Sequence, residues 1–291
     1  MAITAQDKQQ IRTDLKGYCD QAGSIDKAAN SLVNVSGTSI RNVLNPDFPN
    51  ISDELWRTIR AQISGPDREE WEIVETPVFN DIYGCIEYAQ EYREVTWIIG
   101  GAGSGKTTAA REYKKRHKDV IYVLCDEDMY KRDFVLELGR AMGIKVNTQR
   151  RVRDSLLQMV NEILEMENPL IILDEADKLP DPVLHYFITL YNRLDGKAGI
   201  ILLSTSYMKK RLENGLLYDK RGFQEINSRL GHRFYTALSN TANEVHSICQ
   251  ANGVRDSRVI SEIIKDVERC GFDIRRAKKK IKAMRVKQMS A

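Results

Sequence analysis

The sequence predicts an α/β protein in which a five-stranded parallel sheet lies between an all-helical N-terminal segment and an all-helical C-terminal segment. Five short apolar, β-branched runs are separated mostly by helical stretches of ten or more residues. This alternation is typical of parallel sheets with helices on both faces. No such run precedes residue 66 or follows residue 238, and a glycine-rich turn follows the first run. The expected strands are residues 95–99, 120–125, 170–173, 199–204 and 234–238.

Length and composition exclude several classes of protein. A chain of 291 residues corresponds to two or three domains at roughly 100–200 residues each, and we divide it into residues 1–65, 66–238 and 239–291. With 42% hydrophobic residues it is too apolar for a disordered protein, and no apolar run approaches the ~18 residues of a membrane span. The five cysteines form no Cys-x-x-Cys pair. We therefore expect neither a disulfide framework nor a zinc site, and a reducing cytoplasm fits.

The first 65 residues are predicted to form a small bundle of short helices. Residues 24–32, a turn at 34–37 and residues 38–44 have the spacing of a helix-turn-helix, and the segment resembles the lambda-repressor-like class. In such modules the first turns of the second helix contact bases and phosphates, so Arg41 and Asn42 are candidate DNA contacts. Because the segment carries seven basic and seven acidic residues, a bundle that binds protein stays open as an alternative.

A phosphate-binding loop follows the first expected strand. Residues 100–107 match G-x-x-x-x-G-K-[ST] and lie between an apolar strand and a helix, which is the context the motif requires. Glycines let backbone N–H groups turn toward phosphate oxygens, and the helix N-terminus adds partial positive charge. We expect Lys106 to reach the β- and γ-phosphates of ATP and the Thr107 hydroxyl to ligate Mg²⁺. The candidate nucleotide-binding residues are Gly100, Gly101, Ala102, Gly103, Ser104, Gly105, Lys106, Thr107 and Thr108.

Two carboxylates end the third expected strand. Asp174 and Glu175 directly follow an apolar run, and neighbouring strand residues point to opposite faces, so the two can serve metal and water separately. In a phosphate-loop protein we expect Asp174 beside Mg²⁺ and Glu175 where it orients or deprotonates the attacking water. The alternative for Glu175 is an ordinary N-cap of the following helix.

The phosphate loop, the paired carboxylates and the all-helical segment after residue 239 together resemble the AAA+ ATPases, with their Walker A and Walker B motifs and a helical lid. The resemblance implies further functional positions. Residues 202–207 resemble the sensor 1 region of the fourth strand. Either Thr205 or Ser206 would there contact the γ-phosphate and the attacking water.

Two arginines complete the resemblance. Residues 227–230 resemble the Ser-Arg motif, in which Arg229 would act as a finger on the nucleotide of a neighbouring subunit. Residues 271–277 resemble sensor 2, in which Arg275 would face the phosphates. A surface ion pair is the alternative for Arg229, and a DNA or solvent contact is the alternative for Arg275. The arginines that compete for the finger role are Arg211, Arg221 and Arg233.

The C-terminal segment is strongly basic. Residues 271–291 carry eight basic residues and one acidic residue, Asp273, while four apolar residues at helical spacing form a stripe. A basic helix face on an ATPase suits a phosphate backbone, and a solvated helix end is the alternative. The stripe consists of Ile274, Ala277, Ile281 and Met284. The candidate DNA contacts outside the first segment are Lys131, Arg132, Lys145, Arg150, Arg151, Lys278, Lys279 and Lys280.

The order of a lambda-repressor-like head, a compact AAA+ base and a basic helical lid resembles the Mu B type of transposition ATPase, which is related to the IstB and TnsC regulators. The resemblance implies largely sequence-independent binding of double-stranded DNA, DNA-stimulated hydrolysis of ATP with Mg²⁺, and recruitment or activation of a transposase. It also implies a homo-oligomer, as a helical filament or a ring, which hydrolysis disassembles. A helicase loader or replication initiator is one alternative. A non-catalytic DNA-binding regulator switched by ATP is the other.

Overall fold

The computed structural model describes residues 3–48, 51–63, 71–147 and 149–289, with residues 286–289 described by their backbone alone. Contacts between residues divide the chain into two units. One contains Met1–Glu69 with Val135–Met159, and the other contains Glu70–Phe134 with Val160–Ala291. The boundary expected between residues 65 and 66 lies outside the described residues, and the second unit holds both the sheet and the C-terminal helices.

The first unit begins with a bundle of helices that has its own core. Ile40 and Trp56 are among the side chains buried at its centre. Side-chain oxygens of Ser and Thr accept hydrogen bonds from the backbone N–H groups at each helix start. Because Ser36 is one of these caps, the third helix begins at Gly37, one residue before the sequence-based expectation. The helices are α1 (Ala5–Ala22), α2 (Ile25–Ser31), α3 (Gly37–Leu44) and α4 (Asp53–Ile63).

The described sheet of the second unit has the five parallel strands that the sequence predicts. They are β1 (Val95–Ile99), β2 (Val120–Leu124), β3 (Leu170–Asp174), β4 (Gly199–Ser204) and β5 (Tyr235–Thr236), in the spatial order β2-β3-β4-β1-β5. The strand β5 is shorter than expected, because the Leu238 N–H donates to the Asp81 carboxylate (3.0 Å) instead of a strand carbonyl. Since β4 lies between β1 and β3, the carboxyl ends of these three strands adjoin at one edge of the sheet.

One helix precedes β1, and further helices separate the strands along the chain. They are α5 (Pro77–Tyr92), α6 (Lys106–Arg116), α7 (Lys131–Ala141), α8 (Val152–Leu164), α9 (Asp181–Leu194), α10 (Tyr207–Leu217) and α11 (Phe223–Arg229). A short 3-10 helix, Ala176–Lys178, follows β3. Apolar residues of α5 and α6 pack with Ile98, Ile172 and Ile201 of the sheet. Every residue of β3 and β4 is buried, as expected for central strands of a parallel sheet.

Three helices follow the sheet and form a second, smaller core within this unit. They are α12 (Ala242–Ala251), α13 (Ser257–Glu268) and α14 (Ile274–Met289), and we call them the lid. Ala277 and Ile281 of α14 are fully buried, with Ile274 and Met284 packed beside them, which confirms the predicted apolar stripe. Among the described residues, no helix has the length and apolar character needed to cross a membrane.

Candidate nucleotide-binding site

The turn between β1 and α6 has the conformation that a phosphate-binding loop requires. Gly103 (φ +70°) and Gly105 (φ +105°) lie in the left-handed region, which residues with a side chain rarely adopt. The lid also approaches this loop closely. The Ile274 N–H donates to the Gly103 carbonyl (3.1 Å), and a Cβ on Gly103 would lie 1.7 Å from the Asp273 carboxylate. Gly103 is therefore required both for its backbone angle and for the contact with the lid.

Lys106, the first residue of α6, is folded back onto the loop. Its ammonium donates to the carbonyl oxygens of Gly100 (2.8 Å) and Gly101 (2.9 Å), and to Ser104 Oγ (3.3 Å). Burial lowers the pKa of this ammonium, and the nearby charge of Asp174 opposes that change. The loop thus holds the Lys106 ammonium on neutral carbonyl oxygens. The charged oxygens of a phosphate would bind this ammonium more strongly than the carbonyls do.

Asp174 ends β3 and is only 1% exposed. Its Oδ2 accepts a hydrogen bond from the Tyr122 hydroxyl on β2 (2.7 Å), and its Oδ1 accepts one from the Glu175 N–H (3.0 Å). Mg²⁺ in nucleotide sites uses one or two carboxylates together with substrate phosphates, and a buried carboxylate beside a phosphate loop and Thr107 fits this requirement. The described residues hold no cluster of three or more His, Cys, Asp or Glu that would form an all-protein metal cage.

Glu175 has a left-handed backbone (φ +57°). Its carboxylate forms an ion pair with Lys178, three residues further along the chain. Glu175 occupies the N-cap position of the 3-10 helix, yet its side chain makes no capping hydrogen bond. The geometry therefore does not support the capping alternative for Glu175. The Glu175 carboxylate is instead paired with Lys178.

Of the two sensor 1 candidates, the structure brings only Thr205 to the site. The Thr205 N–H and hydroxyl both donate to Asp177 Oδ2, at 3.2 Å and 2.5 Å. Ser206 is exposed at the start of α10 and does not line the cleft. The residue before Thr205, Ser204, is buried and its Oγ accepts a hydrogen bond from Trp97 (2.8 Å).

The loop, the two carboxylates and the sensor residues line one cleft with a volume of about 310 Å³. The lid contributes Arg275 to its wall, as the sensor 2 resemblance implies. Gly100 and Gly101, both expected to bind nucleotide, do not line it. The Gly100 N–H instead continues the ladder of β1 by donating to the Ser204 carbonyl (3.2 Å). The lining consists of residues 102–108 with Asp174, Glu175, Asp177, Lys178, Ser204, Thr205 and Arg275.

Arg229 lies outside the cleft and is held by its own subunit. Its guanidinium donates two hydrogen bonds to Asn192 Oδ1, at 3.0 Å and 2.8 Å, and one to the Glu225 carbonyl (3.0 Å). It also lies over the Tyr191 ring at 5.6 Å. Arg211 is similarly engaged, through the Asp177 carbonyl (3.0 Å) and an ion pair with Asp181. In contrast, Arg221 and Arg233 are exposed and form no ion pair within the described part of the chain.

The candidate DNA contacts fall into three groups with different surroundings. In the first unit, Arg41 is exposed but pairs with Asp26 (3.0 Å), and Asn42 is partly buried. At the start of α7, Lys131 and Arg132 are exposed, and Lys131 lies over the Tyr186 ring at 5.7 Å. Lys145, Arg150 and Arg151 are exposed between α7 and α8 and make no ion pair among the described residues.

In the third group, on α14, two of the three lysines contact other side chains of the protein. Lys278 lies over the Trp71 ring at 4.8 Å, and Lys280 pairs with Asp266 (3.2 Å). Lys279 is exposed. Three consecutive helix residues span about 200° of the helix circumference. They therefore cannot all present their charges to one ligand surface.

The sequence did not predict three residues that line the cleft and one residue that contacts Asp174 from behind it. Asp177 and Lys178 belong to the run Asp174-Glu175-Ala176-Asp177-Lys178, in which the second Asp was the available signal. Ser204 was hidden because it ends an apolar strand. Tyr122 had no signal, since a tyrosine in a β-branched run is an ordinary strand residue.

A phosphate loop after β1, a buried aspartate at the end of the nearby strand β3 and a lid arginine in the same cleft are features of P-loop proteins of the AAA+ class. A family model described as an AAA domain matches residues 89–212. The solved structure of the Aeropyrum pernix ORC1 protein in complex with DNA has a TM-score of 0.53 and 17% identity. It covers 72% of this chain, which spans about three-fifths (59%) of that one, and it supports the fold alone.

Curated relatives extend the similarity beyond the AAA domain. The Mu-like prophage FluMu DNA transposition protein B of Haemophilus influenzae is 21% identical over 249 residues, which cover 83% of this chain and 84% of the relative. The ATP-dependent target DNA activator B of Escherichia phage Mu is 25% identical over 234 residues, which cover 77% and 71%. The resemblance seen in the sequence is confirmed, because an AAA-domain model and curated Mu B-type transposition proteins both match this chain. An AAA domain also supports nucleotide binding and ATPase activity in general.

Proposed function

We propose that this protein is an ATP-dependent DNA-binding ATPase that assembles on target DNA and recruits or activates a transposase. The observation that carries the proposal is the convergence of the phosphate loop, Asp174, Glu175 and lid Arg275 on one cleft. The similarity to an ATP-dependent target DNA activator supplies the biological role. Hydrolysis stimulated by DNA, and disassembly driven by it, belong to the same proposal.

The residues divide the work of nucleotide binding and hydrolysis. Lys106 and the backbone N–H groups of the loop bind the phosphates, and Thr107 and Asp174 would hold Mg²⁺. Bound Mg²⁺ supplies positive charge at the phosphate oxygens. Glu175 takes a proton from the attacking water or orients it. Thr205 would donate to the γ-phosphate once its hydroxyl leaves Asp177, and Arg275 would couple that charge to the lid.

The Glu175–Lys178 ion pair describes a resting arrangement of this site. While its Oε2 is paired with Lys178, the Glu175 carboxylate has one oxygen fewer to offer to the attacking water. DNA binding or subunit assembly would release Glu175 from Lys178. This change would make the hydrolysis rate rise when DNA binds.

Assembly requires a contribution from a second copy of the chain, since a finger arginine acts on a neighbour's nucleotide. Arg229 is the first candidate and would have to leave Asn192 to reach a neighbour. Arg233 and Arg221 are the exposed alternatives. ATP bound between subunits would favour a helical filament or a ring, and loss of the γ-phosphate contact would weaken it.

The DNA-binding surface is expected to contact phosphates and to be largely indifferent to sequence. The exposed cations Lys145, Arg150 and Arg151 are its best-supported members, because the described residues offer them no ion-pair partner. Arg41 and Asn42 of the head form a separate candidate surface. The alternative for the head is a protein contact.

The proposal is tested by measuring nucleotide-dependent DNA binding. Fluorescence anisotropy of a labelled duplex is recorded with a slowly hydrolysed ATP analogue, with ADP and without nucleotide, and phosphate release is followed with and without DNA. Lys106→Ala is expected to lose ATP binding and DNA binding together, because the phosphates lose their main point charge. Lys115→Ala, on the exposed face of the same helix, is the matched control and retains both.

Three outcomes would change the assignment. DNA binding that is equal with and without nucleotide contradicts the proposal. Nucleotide-dependent DNA binding without turnover identifies a regulator that uses ATP as a ligand switch. Co-purification with a replicative helicase instead of a transposase identifies a helicase loader.

A further inference from the structure

Tyr122 lies beside the carboxylate that ends the neighbouring strand. In the parallel register of β2 and β3, Leu124 pairs with Asp174 and Tyr122 pairs with Ile172. Strand residues two apart share a face, so Tyr122 and Asp174 point to the same side of the sheet. The Tyr122 hydroxyl donates to Asp174 Oδ2 at 2.7 Å.

The hydroxyl fixes the orientation of a buried group. Asp174 is 1% exposed, and its two oxygens accept one hydrogen bond each, from Tyr122 and from the Glu175 N–H (3.0 Å). A donor on each oxygen stops rotation of the carboxylate about its Cβ–Cγ bond. Loss of one donor leaves an oxygen without its bond in a place where water has little access.

Tyr122 is itself contacted by a side chain of α6, the helix that follows the phosphate loop. Arg111 Nε donates to the Tyr122 hydroxyl at 3.4 Å, and the Arg111 guanidinium lies over the Tyr122 ring at 5.7 Å. Thr107 and Arg111 are four residues apart on α6 and therefore share one face of that helix. The chain of contacts from Arg111 through Tyr122 to Asp174 thus connects β3 to the helix that carries the second expected metal ligand.

We propose that Tyr122 is a positioning residue that holds Asp174 in the orientation needed to bind Mg²⁺. This inference rests on the proposed function, because it assumes that Asp174 serves the metal of a bound nucleotide. Hydrogen bonds behind a metal ligand commonly determine how well that ligand binds, and their loss typically costs about 10–100-fold in metal affinity. Tyr122 acts through Asp174 and does not touch the nucleotide.

The test compares two isosteric variants. Tyr122→Phe keeps the ring in the core and removes only the hydroxyl. Tyr113→Phe is the matched control, because it removes a hydroxyl bonded to Gln90 (2.6 Å) on the same side of the sheet without touching Asp174. Binding of a fluorescent, slowly hydrolysed ATP analogue is titrated with Mg²⁺ in full-length protein, and thermal unfolding is recorded for each variant.

Tyr122→Phe is expected to raise the Mg²⁺ concentration for half-maximal nucleotide binding about 10-fold. Its nucleotide affinity in EDTA should equal that of the unsubstituted protein, and its maximal rate should recover at high Mg²⁺. The Tyr113→Phe titration should not shift. If Tyr122→Phe does not fold, Arg111→Gln replaces it, and a smaller shift in the same direction supports the inference.

Two results overturn the inference in distinguishable ways. If the unsubstituted protein needs Mg²⁺ and the Tyr122→Phe titration is unchanged, the positioning role is wrong and the proposed function stands. An unshifted Arg111→Gln titration has the same meaning where that variant is the one measured. If the unsubstituted protein binds the analogue equally in EDTA and Mg²⁺, the metal role of Asp174 fails and the inference fails with it, while nucleotide-dependent DNA binding remains the separate test of the proposed function.

Discussion

Glu175, the proposed base, has a backbone conformation that is unfavourable for a non-glycine residue. A non-glycine residue in the left-handed region costs about 1–3 kcal/mol and persists only where its surroundings over-determine it. Here the Glu175 N–H bonds to Asp174, the Glu175 carbonyl accepts from the Lys178 N–H (3.0 Å), and the side chains of Glu175 and Lys178 form an ion pair. These contacts fix the carboxylate at the edge of the cleft.

Lys178→Ala tests whether the ion pair restrains Glu175. Both side chains are partly exposed, at 42% and 33%, so the pair is worth only about 0.2–1 kcal/mol. We expect phosphate release without DNA to rise about 1.4- to 5-fold, which is that energy expressed as a rate, and the stimulation by DNA to shrink. Lys115→Ala removes a comparable ion pair to Glu112 on α6 and should leave both rates unchanged. A lower basal rate in Lys178→Ala would show that Lys178 assists the reaction.

At the scale of elements, α13 and α14 are joined by ion pairs in which one carboxylate of α13 binds two basic side chains of α14. Asp266 accepts hydrogen bonds from Arg276 at 2.6 and 3.0 Å and pairs with Lys280 at 3.2 Å. The hydrogen bond from Arg276 lowers the pKa of Asp266 from 3.8 to about 2, and the hydrogen bond from Lys280 contributes less to this change. The two basic residues are therefore committed to holding the lid together.

The lowered pKa gives a pH-dependent prediction. A carboxylate whose folded pKa lies below its unfolded pKa stabilises the fold above the unfolded value, and this stabilisation is lost as pH falls through the folded value. The window here runs from about 4 down to about 2. Asp266→Asn should lower the unfolding temperature at neutral pH, and the deficit should be smaller at about pH 3 than at about pH 5. Glu268→Gln, at the exposed end of α13, is the control, and an equal deficit at both pH values would refute the explanation.

The loop between α7 and α8 and the helix α14 are expected to differ as DNA contacts. Each phosphate contact contributes about 0.9 to the slope of log affinity against log salt. The Lys145, Arg150 and Arg151 to Gln triple variant should flatten that slope by up to about 2.7. The Lys278, Lys279 and Lys280 triple variant should flatten it by only about 0.9, because Lys278 and Lys280 are engaged with Trp71 and Asp266.

Anisotropy titrations of a duplex at several salt concentrations measure both slopes. An equal, large change for the two triple variants would show that the α14 lysines leave their intramolecular partners when DNA binds. No change in the loop variant would move the DNA surface elsewhere on the chain.

At the scale of the whole molecule, the cleft contains the loop, the carboxylates and a lid arginine but none of the candidate finger arginines. Arg229 is 20% exposed and engaged with Asn192. Under the proposed finger role, a complete site needs a second copy of the chain. We therefore expect activity to be a property of subunit pairs.

Mixing two inactive variants tests that dependence. Glu175→Gln keeps ATP binding and should persist on DNA, because Lys106, Thr107 and Asp174 remain while the base is lost. Arg229→Ala keeps its own loop and carboxylates but lends no cation to its neighbour. At mixed interfaces an intact Arg229 meets an intact Glu175, and arginine fingers are worth about 10³–10⁵ in rate, so phosphate release should recover above background. Asn192→Ala, which removes two of the hydrogen bonds of Arg229 but keeps the arginine, should remain active by itself.

The outcome also distinguishes among the arginines. Failure to recover activity, with both proteins shown to co-assemble on DNA, would remove Arg229 from the finger role. The same mixture would then be repeated with Arg233→Ala and with Arg221→Ala.

The sequence by itself determined the order of elements and the chemistry of the phosphate loop. The five parallel strands, the loop residues 100–107 and the apolar stripe of α14 follow from local patterns, because strand composition, glycine spacing and helical periodicity are readable from neighbours in the chain. Asp174 and Glu175 were predictable for the same reason, since they end an apolar strand.

Only the tertiary structure decided which side chains surround these groups. Tyr122 reaches Asp174 across 52 positions of sequence, and Thr205 reaches Asp177 across 28, because parallel strands bring distant residues to one edge of the sheet. The basic run of α14 appeared continuous in the sequence, yet folding commits Lys278 and Lys280 to Trp71 and Asp266. Such pairings depend on the register of strands and on the packing of helices, which arise from contacts between distant segments and leave no pattern in the local sequence.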